Sequence, residues 1–229
     1  MSLKDRVSVF RVEDEAGREQ ALAVMRAIYR DEKNWVHADE KLVAETDITS
    51  ADVSWFVVRV DSLPVAVLRV LYDLPIDLYR AYGFKMTRAD FDLEAFLRDN
   101  RIAEIGRFAV LPEYRRYIIV VGAIMRAAVK ETVERDFTHY ITDVFEGEAN
   151  SPYDFHRRVM GFQTVATHDT GELNCPCRRI TMLLDIREAY QRMRKEAGWI
   201  FRFLTEDWTD HHHRCARGES HGELTKAGS

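Results

Sequence analysis

Residues 104–108, Glu-Ile-Gly-Arg-Phe, set a carboxylate and a guanidinium three positions apart inside an apolar run. Ile105, Phe108, Ala109 and Val110 read as a buried strand. Leu111-Pro112 ends it, because proline has no N–H for the ladder. Strict alternation puts Glu104, Gly106 and Phe108 on one face and Ile105 and Arg107 on the other. By themselves the two charges read equally well as an ion pair closing a strand end. A basic turn follows, Tyr114-Arg115-Arg116, and then Val120, Val121, Ile124, Met125, Ala128 and Val129 recur at helical spacing, with Arg126 and Lys130 off that face. Strand, basic turn and helix N-terminus bring free backbone N–H groups, the helix dipole and two guanidiniums to one point. That is an anion site, and a phosphate-bearing ligand suits it.

Other residue types are less informative. A helix is expected over 151–160, with Pro152 in its first turn and Gly161 ending it. It carries Tyr153, His156 and Arg157. Arg157 cannot serve as an acid near neutral pH, because a guanidinium keeps its proton, and His156 is expected on the helix surface. Cys175-Pro176-Cys177 needs a second pair of ligands to hold zinc. Those could come only from His211, His212, His213, Cys215 and His221 in a polar tail, so no metal is expected. No histidine stands at a diagnostic spacing from a cysteine. With no activated nucleophile, chemistry here would proceed by direct attack.

The elements that must hold these residues run in a mixed order. VSVFRV (7–12) is a strand, and Arg18 to about Arg30 is a helix with Ala21, Leu22, Met25, Ile28 and Tyr29 on one face. Residues 55–60 and 65–73 are strands joined by a turn over Asp61-Ser62-Leu63-Pro64, an antiparallel hairpin. Residues 74–101, with Tyr79, Tyr82, Phe84, Phe91 and Phe96, form an excursion that reads as a lid or acceptor wall, or as a packed surface helix. After the central strand and helix come strands at 139–145, 163–168 and 178–186. An amphipathic helix at 187–197 is capped by Gly198, and the aromatic WIFRFLTEDW (199–208) must pack on this core or on a partner, so a homodimer contact is one expectation. Residues 209–229 are polar and expected to be disordered. Such an order gives an α/β (α+β) fold, a partly antiparallel central sheet with helices on both faces.

The run FAVLPEYRR…GAIMRAA, a strand, and then NSPYDFHRRVMGF resembles the core of the GNAT acyltransferase superfamily over residues 7–186. That assigns 1–186 to an acyltransferase domain with 74–101 as an insert, and 187–229 to an extension. Within the superfamily, E-I-G-R-F resembles the E-x-S-R-F of acyl-homoserine lactone synthases and the related N-acyl amino acid synthases, with glycine for serine. MRAIYRDEKNWV (25–36) is similar to the early Arg…Trp segment of the same group, and CRRITMLLDIREAY (177–190) to the end of its core. The superfamily's R-x-x-G-x-G/A turn is not intact: Tyr117-Ile118-Ile119 follow Arg115-Arg116, and Gly122 is the sole glycine. Arg157 stands where several members carry a thiolate-protonating tyrosine.

The resemblance implies an N-acyltransferase that takes its acyl group from acyl-CoA or acyl carrier protein and passes it to a small-molecule primary amine. It makes Glu104 the base or water-positioner and has Arg107 orient a carboxylate or hold the strand's neighbours. It has the backbone N–H groups of Phe108, Ala109 and Val110 pair with the thioester arm between parted middle strands. It places the donor's phosphates near Arg115, Arg116, Gly122 and Asn150. A catalytically silent ligand-binding module and a short-chain acetyltransferase with a closed pocket stay open beside it.

Composition narrows the class without choosing among these. At 229 residues the chain can build one good core. A net charge of −5 argues against general nucleic-acid affinity. No apolar run reaches the roughly 18 residues a membrane span needs, and MSLKDRVSVF lacks a signal peptide's pattern. Three cysteines, an odd count, fit a reducing cytoplasm.

Overall fold

The computed structural model describes residues 2–42, 50–72, 74 and 81–219. Helix α1 (Leu3–Arg6) leads into β1 (Val7–Arg11) and α2 (Glu15–Met25), which continues as a wider π-helical segment, Arg26–Glu32. Next come β2 (Val53–Val60), β3 (Leu63–Tyr72), β4 (Lys85–Met86), α3 (Leu93–Asp99) and β5 (Ile102–Val110). A single 3₁₀ turn (Pro112–Tyr114) precedes α4 (Ile118–Glu134) and β6 (His139–Phe145). Then follow α5 (Tyr153–Phe155, with a π-helical continuation His156–Met160), β7 (Gln163–His168), β8 (Arg179–Asp185), α6 (Ile186–Glu196), α7 (Trp199–Leu204) and α8 (Asp210–Arg217).

The eight strands make one sheet in the order β1-β2-β3-β5-β6-β8-β7-β4. Its neighbours are antiparallel except β5 and β6, which run parallel because α4 carries the chain back between them. Both faces are covered. Val120, Ala123, Ile124 and Ala128 of α4 pack with Leu68, Val70 and Ile105 on one face. On the other, Leu22, Met25, Ile28 and Trp35 meet Val57, Val67 and Ala109. Beyond that second group, Phe91 and Phe96 of the excursion close over Ile141 and Val165. The start of α2 is fixed by Asp14, whose carboxylate accepts the Gly17 N–H at 2.7 Å.

Several local expectations are corrected. The β2–β3 turn is two residues, Asp61 and Ser62, both with positive φ (49° and 73°). Leu63 and Pro64 already belong to β3, since this turn's twist matches that of the strands. Ala197, at φ 49°, ends α6, and Gly198 begins α7. Pro152 precedes α5 rather than lying inside it. Residues 210–217 are helical, with Cys215 and Ala216 buried against the main core; an apolar stripe on an otherwise charged segment supplies the reason. The aromatic segment packs on its own core: Tyr190 stacks with Trp208 at 6.0 Å, and Arg126 and Lys130 of α4 meet Glu206 and Asp207 at 2.5 and 2.8 Å. Tyr79, residues 43–49 and residues 220–229 lie outside the described residues. Among the described residues, no helix is long and apolar enough to cross a membrane.

Candidate active site

Strands β5 and β6 pair over four residues, from Ile102 opposite His139 to Ile105 opposite Thr142, and then part. At the parting point β5 bulges. Its register against β3 slips between Gly106, opposite Arg69, and Ala109, opposite Val67. Arg107 takes a left-handed backbone, φ 50°, to absorb the extra residue. The bulge overturns the strict alternation expected of the sequence. Phe108 moves to the face of Ile105 and Val110, packing toward α4. Arg107 joins the face of Glu104, its guanidinium 5.9 Å from the centre of the Tyr29 ring.

A cavity of about 440 Å³ fills the gap. Gly106 to Val110 line it from β5, Thr142 to Phe145 from β6, and Ile118, Val121 and Met125 from α4. Tyr29 and Trp35 close it on the other face. Strand edges left unpaired inside a protein need other partners, and two of them are visible. Leu111 N–H bonds Val65 O at 2.9 Å, so by alternation Ala109 also faces β3, and Val110 and Phe108 face the gap. Their carbonyls accept from side chains, Phe108 O from the Tyr29 hydroxyl (2.9 Å) and Val110 O from Arg115 Nε (3.0 Å). The Ala109 N–H, expected at the thioester, is turned away by this alternation. Burial pushes the Tyr29 phenol up to about 12, so it donates as a neutral hydroxyl.

On the Glu104 face the cavity wall is charged. Arg69 Nη2 reaches Glu104 Oε1 at 2.9 Å and Glu172 Oε2 at 3.0 Å, and Arg107 Nε reaches the same Glu172 oxygen at 3.2 Å. Burial opposes the charges on Arg69 and Glu172, but their mutual attraction prevails. It raises Arg69 and, with Arg107, holds Glu172 below the usual glutamate value. Arg107 Nη1 is buried and makes no hydrogen bond. Tyr82, from the excursion, lines the same wall.

Of the residues singled out in the sequence, Glu104, Arg107, Phe108, Ala109, Val110, Arg115 and Asn150 line this cavity. Arg116 and Gly122 do not. Arg116 turns outward to the Tyr117 hydroxyl at 2.8 Å. Gly122 faces α7, where a Cβ would lie 2.6 Å from the Phe203 ring, so its missing side chain makes room for the C-terminal extension. Arg115 is engaged by Glu32 as well as Val110 O, and Lys33 by Glu148. His156 is buried (6% exposed), not on the surface; its Nδ1 lies 3.1 Å from Pro152 O, and burial lowers it to about 4.

Sequence reasoning passed over Arg69, Glu172 and Asp143. Arg69 carried a signal: an arginine inside the apolar run VAVLRVLY must find carboxylates if that strand is central. Glu172 sits in a loop, and no spacing marks it.

No protein-family model matches the sequence, and a search of curated proteins returns no match. Solved structures do resemble it. FeeM, an N-acyl amino acid synthase from uncultured soil microbes, superposes with a TM-score of 0.62 at 14% identity, over 86% of this chain and 98% of that one. Arabidopsis thaliana NAA60, solved in complex with acetyl-CoA, gives 0.54 at 12% identity over 79% and 98%. An acetyltransferase from Streptococcus agalactiae gives 0.50 at 16% identity over 78% and 99%. At such identities the likeness is one of architecture, and what it establishes is that this chain has a GNAT-like fold.

Proposed function

We propose that the chain is an N-acyltransferase that moves an acyl group from a thioester, of coenzyme A or of acyl carrier protein, to a primary amine such as that of an amino acid. The observation that carries this reading is the gap between β5 and β6, where the Val110 peptide edge faces a largely apolar cavity with Glu104 and Arg107 on its other side. An extended thioester arm laid along β5 would complete the broken ladder. A backbone N–H aimed at the thioester oxygen would steady the charge that develops there. Glu104 would take a proton from the nitrogen as it attacks, and Arg107, with one nitrogen uncommitted, would hold an acceptor carboxylate. Attack is direct, with loss of the thiol and no acyl-enzyme. The three cysteines are unpaired, which fits a reducing compartment, the cytoplasm.

A second reading rests on its own observation. Arg115 is held by Glu32, and Gly122 is filled by Phe203, so the usual phosphate turn is occupied by protein groups. A ligand-binding module without turnover would tolerate this. Thiol release from acetyl-, octanoyl- and palmitoyl-CoA and the matching carrier-protein thioesters, each with a pool of amines, separates the two. The transferase reading expects amide formation that falls about 100-fold in Glu104→Gln with donor KM unchanged. Donors that bind without turnover would establish the module instead.

A further inference from the structure

A second carboxylate, Asp143, lines the cavity across from Glu104, with His168 buried behind it. Asp143 follows Thr142, the last β6 residue paired with β5. It shares a sheet face with Ile141, which lies opposite Glu104, so the two carboxylates face the gap from its two sides. The Asp143 side chain lines the cavity and is 26% exposed. Its Oδ1 accepts the Thr181 hydroxyl at 2.7 Å, and its Oδ2 lies 3.0 Å from Nε2 of His168. His168 is sealed from water, 1% exposed, with the Tyr82 ring stacked on it at 5.5 Å and Phe84 edge-on at 4.7 Å.

The hydrogen count at His168 is constrained. Nδ1 lies 2.6 Å from the Thr170 carbonyl oxygen, which can only accept, so Nδ1 carries a hydrogen. A neutral imidazole has no second one. Nε2 then presents a lone pair toward the Asp143 carboxylate, off hydrogen-bonding line, and has no other partner. Nε2 is thus a lone-pair atom 3.0 Å from Oδ2 of Asp143 that no hydrogen bond engages. The other charges around it are committed. Arg179 of β8, opposite His168, donates to the carbonyls of Asp169 (2.9 Å) and Leu173. Asp169 faces Lys85 and Arg178 at 3.5 and 3.9 Å, and Glu172 is held by Arg69 and Arg107. The Tyr82 phenol, pushed up to about 12 by burial, is neutral.

Acyl transfer to an amine needs such a group. The acceptor arrives as an ammonium and sheds two protons in becoming an amide, one before nitrogen can attack and one from the tetrahedral adduct. The N–C bond forms, the C–S bond breaks with its electron pair going to sulfur, the thiolate takes up one proton, and solvent receives the other. We propose that Asp143 takes the ammonium proton before attack, with His168 positioned behind it to hold that proton on Nε2, while Glu104 takes the second from the adduct. This rests on the transferase reading.

The test is the pH profile of kcat/KM for a primary amine. Asp143→Asn is expected to lose about 100-fold at pH 7, with the thioester KM unchanged. That deficit shrinks about tenfold per pH unit as bulk solvent deprotonates the amine, and His168→Gln shows a smaller loss of the same form. Glu104→Gln is expected to show a deficit that does not shrink in this way. A deficit for Asp143→Asn that is constant with pH, or no deficit, overturns the assignment. Nitrogen NMR of the imidazole in the intact chain guards against a misfolded variant. It should show a hydrogen on Nδ1, and a bare Nδ1 overturns the pairing. A wild-type chain that makes no amide from any donor sinks the transferase reading itself, a result distinct from an active enzyme indifferent to Asp143.

Discussion

Arg69 on β3 and Glu104 on β5 meet across the sheet at 2.9 Å, their side chains only 9% and 16% exposed. Arg69 also reaches Glu172, a carboxylate it shares with Arg107, so two guanidiniums face two carboxylates here. Removing it takes the buried ion pair from Glu104, and breaking a buried pair from one side costs about 3–5 kcal/mol. Arg69→Met is expected to lose that much in a urea titration. Arg69→Lys should fall between, because an ammonium cannot span both carboxylates as a planar fork does. A loss below about 1 kcal/mol for the methionine variant would show the cluster to be solvated.

Gly122 tests the role of the C-terminal extension. A side chain there would meet the Phe203 ring at 2.6 Å, so Gly122→Val should displace α7 and cost about 1–3 kcal/mol. The fluorescence of Trp199 and Trp208 should report looser packing, while donor affinity stays within about twofold. A large loss of donor binding in a variant with intact fluorescence would return Gly122 to the phosphate site.

His156 makes stability depend on pH. Its folded value, about 4, lies below the ordinary 6.5 because burial penalises the charged ring. The unfolded chain therefore binds more protons than the folded one between those values, and stability rises with pH across that window. The integrated effect is on the order of 3 kcal/mol, lost as pH falls from 6.5 toward 4. Burial also lowers His139, His212 and His213, so the readout is a difference between proteins. His156→Gln should flatten the dependence of the urea midpoint by about that amount, and parallel curves for the two proteins would remove the assignment.

Ser62 sits at φ 73° in the β2–β3 turn, a backbone region that costs an L-residue about 1 kcal/mol and glycine almost nothing. Ser62→Gly leaves the Arg6–Asp61 ion pair in place and should stabilise the chain by about 0.5–1 kcal/mol. A lower thermal midpoint would mean that the serine side chain makes a contribution the geometry does not show.

The sequence by itself determined the order of the principal strands and helices, though not α1, β4 or α8, because apolar periodicity and the punctuation of Pro112 and Gly161 are local properties of the chain. It also marked 104–110 as the stretch around which a site would form. Tertiary structure decided the rest. Period-two counting cannot see a bulge, and the one at Arg107 carries that guanidinium onto the Glu104 face and sends Phe108 to the other. Nor can it see that Arg69, Glu172 and Asp143, from β3, a loop and β6, converge on one cavity with His168 of β7 behind Asp143, since their approach depends on how the strands are ordered in space. His156 was misplaced for a related reason: a helix face is buried or exposed according to what packs on it, and Phe162, 4.8 Å from its ring, arrives only when the chain turns back into the sheet.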